Sequence, residues 1–95
     1  MDQQTRDNKL IAEFMEYEKE GAEYRCELQD GDDVRATPDD MLFDFSWDWL
    51  IPVVDKINRL VDKHNYGYGI GIRYNQIKKA YKAVVKFIKW YKEKC

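Results

Sequence analysis

Residues able to do chemistry are few and scattered in this chain. His64 is the only histidine, Ser46 the only serine, and Cys26 and Cys95 the only cysteines. A nucleophile, a base and an orienting acid can meet through the fold whatever their spacing. Ser46, however, stands directly before an apolar-periodic run, where its hydroxyl suits a helix cap. His64 closes the same run, where a lone histidine reads as a polar residue at a helix end. Asp30, Asp32 and Asp33 crowd around Gly31, but without the spacing and distal glutamate of a calcium loop they read as a hairpin turn. Gly67, Gly69 and Gly71 give G-x-G-x-G inside an alternating stretch, not the G-x-G-x-x-G of a phosphate loop, and suit close backbone packing. No catalytic residue, metal ligand or cofactor is assigned, and the expectation is a protein that is not an enzyme.

The stronger pattern is cationic. At 100° per residue, Lys78, Lys79, Lys82, Lys86, Lys89 and Lys92 share one arc of a C-terminal helix, with Trp90 at its edge. Lysines beside an aromatic ring can hold a phosphate backbone and stack a base, or dock an acidic protein surface. The plain alternative is a solvated face whose lysines also suit the helix dipole. Lys78, Lys79, Lys82, Lys86, Lys89 and Trp90, with Trp49 as the tryptophan at the border of its own helix's apolar arc, are the candidate partner-binding residues.

Charge is segregated along the 95 residues, whose net charge is −2. Residues 1–45 hold 14 acids against 5 bases, and residues 73–95 hold 1 acid against 8 bases. Such halves attract one another, simply solubilise the fold, or leave one of them as a docking surface. An apolar content of 44% with 36% charged residues indicates a folded chain with a solvated exterior. The longest apolar run, Leu50 to Val54, is far short of the ~20 residues a membrane span needs, and no leader pattern opens the chain. Two cysteines without a C-x-x-C motif read as reduced thiols. A cytoplasmic location without membrane contact is therefore expected.

The elements that must position these residues follow from periodicity. Residues 1–7 read as a loose start, and 8–17 as a short helix carrying Leu10, Ile11, Phe14 and Met15 on one side, capped by Asp7 or Asn8 and ended by Gly21. Residues 22–28 alternate Ala22, Tyr24, Cys26 and Leu28 against charges, as a half-buried strand does, and 34–36 pairs with it after the turn. Thr37, Pro38, Asp39 and Asp40 open a helical turn. Helices follow over 46–64, with Pro52 near the end of its first turn, and over 75–93; residues 66–74 between them alternate bulky residues with glycine as a strand. The fold class is α+β in a single domain: a small, mostly antiparallel sheet of about three strands packed with two main helices and a short N-terminal helix.

Residues 43–54, FDFSWDWLIPVV, gather two phenylalanines and two tryptophans at a helix entrance, the place where aromatics close a small core. The same stretch carries a resemblance. NKLIAEFM at 8–15, SWDWLIPVVDKI at 46–57 and AYKAVVKFIKWYKE at 80–93 together resemble small proteins that recur in phages and mobile elements of Bacteroidota-type bacteria. The match covers about a third of the chain in three blocks in the same order. The Ser-Trp-Asp helix entrance is also similar to the phage alpha-beta-alpha sandwich type of domain. The resemblance implies no active site. It implies an intracellular accessory protein that binds a host protein, with a nuclease or ribonucleoprotein as the candidate, and antagonism of host defence, including RNA-guided CRISPR nucleases, as the role. The alternative is a nucleic-acid-associated domain using the C-terminal lysines.

Overall fold

The structure, a computed structural model, describes residues 2–64 and 76–94. Its elements run α1 (Gln3–Phe14), β1 (Glu18–Glu20), β2 (Glu23–Glu27), β3 (Asp33–Ala36), α2 (Trp47–His64) and α3 (Ile77–Lys94). The strands form an antiparallel sheet in the order β1-β2-β3. An α+β fold with a small sheet and helices is thus what the sequence folds into. The glycine-rich strand expected over 66–74 lies outside the described residues.

Helix α1 begins five residues earlier than its apolar pattern predicts, so residues 3–7 are helical and not a loose start. Its true cap is Asp2, whose carboxylate accepts the Thr5 N–H at 2.8 Å. That hydrogen bond, the largest influence on the group, holds the Asp2 carboxyl below its usual range. Asn8 is no cap: it is 1% exposed, on the buried face with Thr5, Ile11 and Ala12. The other end closes with Tyr17 N–H bonded to the Ala12 carbonyl and Glu16 N–H to the Glu13 carbonyl. This is the paired pattern of a Schellman end, with Glu16 at φ 60° in the position usually given to glycine.

Glu16 thereby ends α1, and Gly21 has a different task. At φ 64° it leads the two-residue turn between Glu20 and Glu23, which pair across β1 and β2. The alternation read over 22–28 is realised in β2, where Tyr24 and Cys26 are buried and Glu23, Arg25 and Glu27 exposed. β1 has the sequence Glu-Lys-Glu and carries no apolar signal; among the described strands it lies at the edge of the sheet, where charge is tolerated. Arg35 Nε on β3 reaches Glu20 Oε2 on β1 at 2.8 Å, an ion pair across the central strand.

Helix α2 starts directly after Ser46, whose carbonyl accepts the N–H groups of Trp49 and Leu50. Pro52 lies inside the helix and has no N–H for the Asp48 carbonyl four residues back. That carbonyl instead accepts the N–H of Gln29 at 2.9 Å, which ties the β2–β3 connection to the helix. The core collects Ile11, Cys26, Met41, Phe43, Leu50, Val53, Val54, Ile57, Val84 and Ile88 between sheet and helices, all but Met41 wholly buried. No helix among the described residues is long and apolar enough to cross a membrane.

Candidate functional site

Helix α3 buries Ala80, Tyr81, Val84, Val85 and Ile88 against the core. Because these residues recur at helical spacing, Lys78, Lys79, Lys82, Lys86 and Lys89 are all turned outward and exposed. The five span about 17 Å along the helix at 1.5 Å per residue. Lys89 Nζ lies 3.8 Å from Asp7 Oδ1 on α1. Among the described residues, Lys78, Lys79, Lys82 and Lys86 form no ion pair. Among the described residues, attraction between the acidic half and this helix is thus made at Lys89, while Lys78, Lys79, Lys82 and Lys86 leave a cationic surface.

Trp90 is 37% exposed at the edge of this strip. It belongs to a run of rings: its ring lies 5.7 Å from that of Phe87, which stacks on Tyr91 at 5.9 Å and 12°. Tyr91 in turn meets Phe14 of α1 edge-on at 5.9 Å. The tryptophan is thus backed by Phe87 and lies on α3 beside Lys86 and Lys89.

Trp49 does not belong to the site. It is 7% exposed, packed edge-to-face on the wholly buried Phe43 at 5.4 Å. The helical wheel of α2 alone places it at a border, but Phe43, from before the helix, packs on it. The exposed aromatic of this region is Phe45 instead, 77% exposed, with Leu42 at 43% beside it. A one-turn bend separates the two, with Phe45 and Ser46 N–H groups both bonded to the Leu42 carbonyl.

A buried polar hub fixes that bend against the helices. Asn8 Nδ2 donates to the Pro38 carbonyl at 2.9 Å, and its Oδ1 accepts the Tyr81 hydroxyl at 2.8 Å. Thr5 Oγ1 donates to Asp39 at 2.7 Å. One asparagine therefore joins α1, the segment before α2, and α3. Burial raises the Tyr81 hydroxyl well above its usual range, with Asp7, Asp44 and Asp2 adding to the effect. It stays a neutral donor.

An open cleft of about 420 Å³ lies at the end of α1, lined by Glu13, Phe14, Glu16, Lys56, Leu60, Tyr91 and Lys92. Lys56 is already engaged there: it donates to the Phe14 carbonyl, sits 4.6 Å over the Phe14 ring, and lies 4.0 Å from Glu16. The described lining includes no serine, threonine, cysteine or histidine. Among the described residues no group of three or more His, Cys, Asp and Glu side chains is gathered as metal ligands. Asp30 Oδ1 accepts the Asp32 N–H, and Gly31, at φ 92°, makes the turn between β2 and β3. Cys26 is buried in β2, and burial pushes its thiol up from 9.0 to about 11, the direction opposite to nucleophile activation.

Comparison with protein-family models, with curated proteins and with solved structures finds no match to the chain.

Proposed function

We propose that the protein is a non-enzymatic binding protein, a phage-encoded accessory factor that works in the host cytoplasm by capturing a host protein. The observation that carries this reading is the α3 strip. The chain holds 18 carboxylates, yet four lysines of one helical face stand outward without an ion pair among the described residues. A surface left unneutralised in an otherwise acidic chain is suited to steering an acidic partner. The backed edge of Trp90 supplies an apolar anchor of the kind that dominates binding energy.

The three sequence blocks that resemble phage and mobile-element proteins support a host-defence protein as the target, with an RNA-guided nuclease or ribonucleoprotein as the first candidate. The test is affinity capture of the tagged protein from a bacterial lysate, with and without nuclease treatment. A discrete protein retained after nuclease supports the reading. Capture that disappears with nuclease moves the strip to nucleic acid, where affinity would fall steeply with salt.

A further inference from the structure

Taking the functional reading of the α3 strip as the premise, we infer that the partner segment it takes is an acidic amphipathic helix, seated by an apolar side chain on Ala83 between Lys79 and Lys86. Ala83 is exposed on the outer face of α3. Its helical neighbours, three and four residues away, are Lys79 and Lys86 on one side and the buried Ala80 and partly buried Phe87 on the other. A methyl group between two long stems leaves the helix surface low at that point. Lysine stems are themselves apolar up to the ammonium group. The floor of the seat is thus apolar and its rim cationic.

Charge and length decide the occupant. Lys78, Lys79, Lys82 and Lys86 are exposed and form no ion pair among the described residues, so an incoming carboxylate has none to break. The next lysine, Lys89, is already paired with Asp7 at 3.8 Å. The unpaired run from Lys78 to Lys86 therefore spans about 12 Å at 1.5 Å per residue, or about two turns of a facing helix. Lys78, Lys82 and Lys86 step by four residues, the same step that puts carboxylates on one face of a partner helix. A helix lying alongside, with an apolar residue over Ala83 and carboxylates three and four residues from it, meets seat and rim together. A phosphate backbone supplies the charge but no aliphatic group for a methyl floor. It would gain from a further cation where this chain has alanine.

The experiment is fluorescence anisotropy of labelled probes titrated with the whole protein. One probe is a stapled helical peptide of about 18 residues, with a central leucine flanked by glutamates three and four residues away on each side. A second has the same composition with the leucine moved to the opposite face, and a third is single-stranded oligothymidine of equal charge. The first should bind, and the second at least about tenfold more weakly. Ala83→Lys adds a cation but fills the seat. The site is exposed and both residues are strong helix formers, so α3 keeps its fold, as circular dichroism would verify. This variant should bind the first peptide at least about tenfold more weakly than the native chain does. No binding of that peptide up to about 1 mM, equal binding of the two peptides, tighter binding of the oligonucleotide, or affinity kept or raised by Ala83→Lys would each overturn the inference. Capture of a host protein from lysate, undiminished by Ala83→Lys, would overturn it too while leaving the functional reading intact, so the two failures are told apart.

Discussion

Asn8 shows how a polar residue can hold a small fold together. Its amide sits at 1% exposure between the Pro38 carbonyl and the Tyr81 hydroxyl, so truncation takes the amide donor from the Pro38 carbonyl and leaves the Tyr81 hydroxyl only its 3.4 Å contact with the Gln4 carbonyl. Asn8→Ala should lower unfolding free energy by about 2–3 kcal/mol, read in urea titration, and should loosen the 38–46 segment that presents Phe45. An unchanged midpoint would show that water replaces the amide. The same residue explains why its role was hidden in the sequence. A buried asparagine and threonine look like surface residues to an apolar-periodicity reading, so the first turns of α1 carried no signal. Trp49 was hidden for the opposite reason. Its surroundings are completed by Phe43, which lies before α2 and is invisible to a wheel drawn for the helix alone.

At the scale of elements, α2, α3 and β2 were legible because each buries one face at its own period. β1 was not, since an edge strand of three charged residues is specified by its partner's register and by the Gly21 turn. The lysine strip was legible, being a surface consequence of a helix whose opposite face is apolar. The exposure of Phe45 was not, because it depends on which residues of a bend are covered. The end of α1 offers a direct test of local conformation. Glu16 occupies a left-handed backbone position at φ 60°, and its 4.0 Å ion pair with Lys56 is largely exposed. Glu16→Gly should therefore stabilise the protein by about 0.5–1 kcal/mol, seen as a raised Tm. A lowered Tm would mean that the ion pair outweighs the backbone relief.

The whole molecule is a charge-segregated body whose core contains groups that resist ionisation. Burial raises the Cys26 thiol to about 11 and lifts the Tyr17 and Tyr81 hydroxyls well above their usual 10.0. In the unfolded chain these groups lose their protons at lower pH than in the fold, so the native state binds more protons and stability falls as pH rises. The decline should begin near pH 9 and continue past pH 10, followed by circular dichroism at fixed urea. A flat stability over that range would contradict the burial of these groups. Native Cys26 should also resist alkylation at pH 8 and react only on unfolding.

The functional account stands on the α3 strip, and capture by two forms of the protein tests it most directly. Native protein and the Lys79→Glu, Lys82→Glu, Lys86→Glu variant would be used side by side on one nuclease-treated lysate, with folding of both verified by circular dichroism. The account predicts a protein partner held by the native form and reduced at least about tenfold with the variant, the loss that about 1.4 kcal/mol produces. Equal recovery of that partner by both forms would contradict it and remove the lysine face from the mechanism.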